Sequence, residues 1–230
     1  MIASTRTAPR TFHSLFYAAL YWVDHSKFGD VSSTIPDEME RLFDQDKPHF
    51  ATWVWLYDID YPWGGHVSTT RPTEPETTPL YYAVLCGFRG LVEHLLSIRP
   101  EDINPNGGYY GTPLHAALSR GPIDISLLLL QHGADINALD EDELSPLHDA
   151  SRSGRGDIVQ LLLEHHADVN LPNGDRETPL WLASCEGELE VARIFLQNGA
   201  DVELCDKQGR AVMNVTSANG HPRNCTITTR

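Results

Sequence analysis

The sequence runs to 230 residues, room for one large domain or for a repeat array with an appendage. Its 32 acidic and 17 basic residues leave a formal net charge of −15, which disfavours nucleic acid and anionic membrane as partners and suits either plain solubility or a basic or apolar protein surface. The scattered Cys86, Cys185, Cys205 and Cys225 form no C-x-x-C pair, so neither a zinc site nor a disulfide framework is indicated, and no apolar stretch reaches membrane-spanning length.

Residues 1–11 read as a disordered leader. The first twenty-three residues lack acids, carry Arg6 and Arg10 and are rich in Ser and Thr, a composition that also weakly fits a mitochondrial presequence. From Phe12 to His25 the apolar residues Phe12, Leu15, Phe16, Ala19 and Leu20 follow helical spacing. Pro36 and the acids after it open a second helix with Met39, Leu42 and Phe43 on its apolar face. The aromatic stretch Phe50 to Tyr57 is a third piece, helical or irregular, with a strand as the minority alternative. Residues 60–77 have the composition of a linker. Residues 12–59 are expected to form an N-terminal helical cap, because the first unit of an array cannot leave its apolar face bare and so short a stretch holds little core alone.

From Thr78 onward one phrase recurs. The copies begin at Thr78, Thr112, Ser145 and Thr178, separated by 34, 33 and 33 positions, and a degraded fifth falls at Ala211. Each clear copy reads Thr/Ser-Pro-Leu, then Tyr81, His115, His148 or Trp181, then a pair ending in Ala. The hydroxyl suits a helix cap and Pro suits the first helical position. Leu and the small residues after it form a narrow apolar face that lets a neighbouring helix approach closely. Gly87, Gly121, Gly154, Gly187 and Gly220 are expected to end these short helices. A second helix follows in each unit, as in Ile125–Leu130, Ile158–Leu163 and Val191–Leu196. A second phrase keeps the same beat at Gly133–Asn137, His166–Asn170 and Gly199–Glu203 and carries the chain into a hairpin loop.

A period of 33 with this Thr-Pro-Leu-His-x-Ala signature resembles the ankyrin repeat family over residues 78–221. The resemblance implies an all-α ankyrin-repeat solenoid of four full repeats plus a partial fifth. Tyr81-Tyr82, Asp149 and Trp181-Leu182 depart from the family phrase. The fifth copy runs into Pro222 instead of a second helix, which suggests a truncated frame or a piece of a longer array, and residues 222–230 read as a disordered tail. The whole chain is also similar to part of the fungal NACHT–ankyrin proteins, on Tyr17–His25, Leu42–Asp44, Lys47–Asp58 and Gly107–Gly111. It carries no Gly-x-x-x-x-Gly-Lys-Ser/Thr phosphate loop, so ATP hydrolysis does not carry over.

Three functions are weighed. The first is a protein–protein interaction module, with a sensor or scaffold role in innate-immune-like signalling implied by the second resemblance. Such arrays present a concave face of hairpin tips and first-helix surfaces. The residues varying there are Tyr109, Tyr110, Arg120, Glu141, Asp142, Leu144, Arg152, Asp175, Glu177, Glu186, Lys207 and Arg210. Tyr109 and Tyr110 are the aromatic anchors, on a finger whose glycines should make it mobile, and the acidic Asp140–Glu143 finger would meet Lys or Arg on a partner. The second is an enzyme built on the scaffold histidines. It is set aside because His115 and His148 repeat with the fold, so no catalytic, cofactor or metal residue is named. The third is a structural remnant with no present partner. A monomer in the cytoplasm or nucleus is expected. Asn137 and Asn170 also fit the pattern of hydroxylated ankyrin asparagines, against the simpler reading that they are loop consensus.

Overall fold

The computed structural model describes residues 77–212. The expected leader, cap, linker and tail therefore lie outside the described residues, as does nearly all of the fifth copy. The chain divides between Asp102 and Ile103.

Among the described residues, the first part shows one helical pair. Helix α1 spans Pro79–Cys86 and α2 spans Arg89–Ile98. Leu80, Tyr81, Tyr82, Ala83 and Val84 are all buried, and the two tyrosine rings meet edge to face at 5.3 Å. Gly87 ends α1 in the left-handed conformation (φ 74°), which costs a residue without Cβ nothing. Thr78 does not use its hydroxyl as a cap here.

The described residues of the second part form three more pairs. They are α3 (Pro113–Arg120) with α4 (Ile123–Gln131), α5 (Pro146–Arg152) with α6 (Gly156–Glu164), and α7 (Pro179–Glu186) with α8 (Leu189–Gln197). First helices stack on first helices (α3 on α5, α5 on α7), and α6 stacks on α8. Helices of seven to ten residues are marginal alone. What holds them is the shared interior: Leu114, Ala116, Ala117, Leu147, Ala150, Leu180 and Ala183 from the first helices, with Ile125, Leu129, Ile158, Leu162, Val191 and Phe195 from the second. This is the all-α repeat fold expected from the 33-residue period, and Leu127–Leu130 and Leu161–Leu163 are helical, not extended.

The glycine endings differ in detail. Gly187 closes α7 in the left-handed conformation, as expected. Gly121 does not; it is extended (φ −81°, ψ 165°). The reason is Pro122, since a residue before proline is pushed out of the helical region. Helix α5 ends one residue early, at Arg152, with Ser153 as its cap, and Gly154 takes the positive φ just beyond. After the second helices the left-handed position is held by Gly133, His166 and Gly199, so a histidine bears at 166 what glycine bears elsewhere.

Side chains tie the repeats at a fixed spacing. The carboxamide oxygens of Asn104, Asn137 and Asn170 accept from the backbone N–H groups of Asp135, Asp168 and Asp201, each 31 positions on. Each of those aspartates then accepts, through its own carboxylate, from the N–H two residues later.

Candidate functional site

Between repeats the chain runs out into fingers, and one residue closes each tip. Asp140 Oδ1 accepts from the N–H groups of Asp142 and Leu144, Asn173 Oδ1 from those of Asp175 and Glu177, and Asp206 Oδ1 from those of Gln208 and Arg210. A short polar side chain that bonds its own backbone two residues on is the turn chemistry of Asp and Asn. The first finger departs from this. It is closed by the Gly107 N–H to the Gly111 carbonyl, while Asn106 reaches across to the Leu139 carbonyl. A Cβ on Gly111 would stand 2.7 Å from the Cβ of Asp140, so only glycine lets these two fingers lie this close.

The histidines of the phrase brace the fingers. His115 Nε2 lies 3.2 Å from the Leu144 carbonyl oxygen, and Nδ1 lies 2.8 Å from the Thr112 hydroxyl. His148 repeats the arrangement with Glu177 and Ser145. A carbonyl can only accept, so each Nε2 carries the proton and each Nδ1 accepts from the hydroxyl. Burial lowers the His115 pKa, opposed by Asp140 and by the bond to Leu144. Burial takes that of His148 down to about 4. Both rings are thereby held neutral at ordinary pH. At Trp181 the fourth copy substitutes a different tie: the Arg210 guanidinium sits 5.3 Å from the indole ring centre, and its Nε bonds Asp206 Oδ2 at 2.7 Å.

A pocket of about 620 Å³ opens between the first two fingers and the first helices α3, α5 and α7. Tyr109 and Tyr110 stand on its rim, their rings edge to face with centres 4.9 Å apart. Leu118, Leu144, Pro146 and Ile158 supply apolar wall, and Asp140, Asp142, Asp149, Glu186, Arg152 and Arg155 supply charge. Arg155 is turned aside, donating to the Leu118 carbonyl. Burial raises the Asp149 carboxyl to about 6; Asp140 and Asp142 push the same way and Arg152 opposes them.

Of the twelve surface residues expected from the sequence, the pocket gathers Tyr109, Tyr110, Asp142, Leu144, Arg152 and Glu186. Leu144 is only 8% exposed and its carbonyl is bound to His115. Arg120 and Glu141 are exposed outside the pocket. Asp175 and Lys207 form an ion pair at 3.3 Å between neighbouring fingers. Glu177 is half-buried, with its carboxylate held by Asn173 and its carbonyl by His148. Arg210 is committed to Asp206 and Trp181. Asp140, Asp149 and Arg155 were not among the twelve. Asp149 was visible in the sequence as a break in the phrase, where neighbouring copies carry Ala116 and Leu182.

Donor atoms of His115, Asp140 and Asp149 lie within 4.8 Å of one another, a spacing that could hold a metal ion. The chemistry of the set fits poorly. Both nitrogens of His115 are bonded and Asp140 Oδ1 already accepts two N–H groups, so ligation would break the braces that shape the fingers.

No described helix is long and apolar enough to cross a membrane. The sequence is 32% identical over 138 residues to azaphilone pigments biosynthesis cluster protein L of Monascus ruber, covering 55% of this chain and 29% of that protein. It is 38% identical over 66 residues to alpha-latrocrustotoxin-Lt1a of Latrodectus tredecimguttatus, covering 29% of this chain and 5% of the toxin. It is 43% identical over 67 residues to BCL-6 corepressor-like protein 1 of Mus musculus, covering 28% of this chain and 4% of that protein. The chain thus spans less than a third of each of these relatives. The sequence matches the family described as ankyrin repeats (3 copies) over residues 64–140, 80–173 and 147–227. With its stacked helical pairs, its histidine-braced fingers and a family match over more than half its length, the chain belongs to the ankyrin repeat family.

Proposed function

We propose that the chain binds a partner protein, as ankyrin repeats generally do, through the face made by the fingers and first helices of residues 103–212. The observation that carries this is the pocket itself. It places an exposed aromatic pair, Tyr109 at 53% exposure beside Tyr110, over a mixed apolar and acidic interior. Aromatic rings on a rim around a concavity are the usual anchors of a protein interface. Asp142 and Glu186 line the pocket and Glu141 stands exposed beside it, so the complementary partner surface is basic. The chain acts as a monomeric module in the cytoplasm or nucleus, and the scaffold histidines perform no catalysis. A sensor or scaffold role in innate-immune-like signalling rests on the similarity of Tyr17–His25, Leu42–Asp44, Lys47–Asp58 and Gly107–Gly111 to fungal NACHT–ankyrin proteins.

The test is capture of partners from the source organism by the full chain and by the double variant Tyr109→Ala/Glu141→Ala. The variant should lose the partner while its melting temperature stays within a degree or two of the parent. Equal capture by both would overturn this choice of face.

A further inference from the structure

The interior of the pocket breaks a rule that the rest of the array obeys. In the copies beginning at Thr112 and Thr178 the residue after the His or Trp is apolar and buried: Ala116 at 0% and Leu182 at 8% exposure. In the copy between them it is Asp149, half-buried on α5 and open to the pocket. Among the described residues the change is not fully offset, since the Asp149 carboxyl stays raised to about 6. Asp140 and Asp142 disfavour its charge, His115 beside it is held neutral by burial, and Arg152 favours ionisation. A carboxylate that destabilises its own scaffold marks a place where compensation comes from outside.

The surroundings say what that compensation is. Four carboxylates (Asp140, Asp142, Asp149 and Glu186) face two guanidinium groups, of which Arg155 is turned to the Leu118 carbonyl. The missing charge is positive. Oxygens of Asp140 and Asp149 lie within 4.8 Å of each other, a gap that a compact ammonium with three donors can bridge, whereas a flat guanidinium fork prefers both oxygens of one carboxylate. The approach to these acids passes Tyr109, Tyr110 and Leu118. An alkyl stem can lie on such a wall while its charged end goes on to the acids, and ring faces attract the cation as it passes.

We propose that this pocket takes up one lysine side chain from an extended basic segment of the partner protein, its stem against Tyr109 and Leu118 and its ammonium between Asp140 and Asp149. The proposal rests on the interaction reading above and adds the identity of the inserted residue. The ammonium favours ionised Asp149, so binding weakens as pH falls through about 6.

The test is an NMR titration of the isotope-labelled full chain with the blocked pentapeptide acetyl-Gly-Leu-Lys-Leu-Gly-amide, and with versions carrying norleucine or glutamate for lysine. Saturable shifts centred on Tyr109, Tyr110 and Asp149 are expected for the lysine peptide alone. Asp149→Asn should raise its Kd at least about fivefold, and Glu164→Gln, on the exposed end of α6, should leave it unchanged. The Kd should rise between pH 7.5 and pH 5. Equal shifts from the norleucine peptide, no saturable shift, or an unchanged Kd in a folded Asp149→Asn chain would overturn the proposal. A natural partner kept by Asp149→Asn but lost by Tyr109→Ala/Glu141→Ala sinks the lysine and spares the broader reading; a partner kept by both sinks the broader reading as well.

Discussion

His148 holds its Nε2 3.2 Å from the carbonyl oxygen of Glu177, a residue 29 positions away in the next finger. The same ring receives the Ser145 backbone N–H at Nδ1, at 3.1 Å, so one buried side chain joins its own helix start to the following loop. Replacing it by alanine removes both ties and leaves a cavity among fully packed neighbours. His148→Ala should destabilise the chain by about 2–4 kcal/mol, measured as a lower urea midpoint.

The same burial makes stability depend on pH. The His148 pKa is about 4 in the folded chain, against the ordinary 6.5 of an exposed imidazole. Between those values the unfolded chain binds a proton that the folded chain refuses. Stability therefore falls as pH drops from 6.5 towards 4, by about 3 kcal/mol for this one group. His115 is shifted in the same direction and adds to the loss. Urea melts stepped from pH 7.5 to pH 5 should show the decline, and a folded His148→Gln chain should show a shallower one.

Asp149 titrates with the opposite sign. Its folded pKa, about 6, is above the ordinary carboxylate value, so its contribution is most favourable below 3.8 and is lost as pH rises through 6. Asp149→Asn should therefore raise the melting temperature at pH 7.5 and leave it nearly unchanged near pH 3.5. An equal gain at both pH values would mean that shape, not charge, is responsible.

His166 occupies a left-handed position (φ 67°) where the flanking repeats have Gly133 and Gly199. A side chain there costs about 1–2 kcal/mol, partly offset because glycine gives the unfolded chain more freedom. His166→Gly should stabilise by roughly 0.5–1 kcal/mol, read from paired thermal melts.

The periodic part of the fold was legible because repetition amplifies weak local signals. Thr-Pro-Leu, or Ser-Pro-Leu at Ser145, marks a helix start four times at nearly constant spacing, and each start is observed. Gly121 ends its helix as read, but in an extended conformation, because the conformational demand of Pro122 outweighs the left-handed habit of glycine. The fate of individual surface residues was less legible. Nothing local to Glu177 announces that His148 and Asn173 will occupy it, since those contacts depend on how one repeat is set against the next. Asp149 carried the clearest single-residue signal, an acid in an apolar slot, yet its meaning depended on Asp140 and the tyrosine finger being folded over it.

The asparagine links, each spanning 31 positions, join only adjacent units. A force applied to the two ends of the described array would thus meet a row of similar short clasps in place of one long-range lock. Each clasp that opens frees a loop of one period and little else. Extension under load should proceed as a staircase, with steps of about 110 Å of released contour, and recoil should retrace it as each unit closes again on the neighbour still in place.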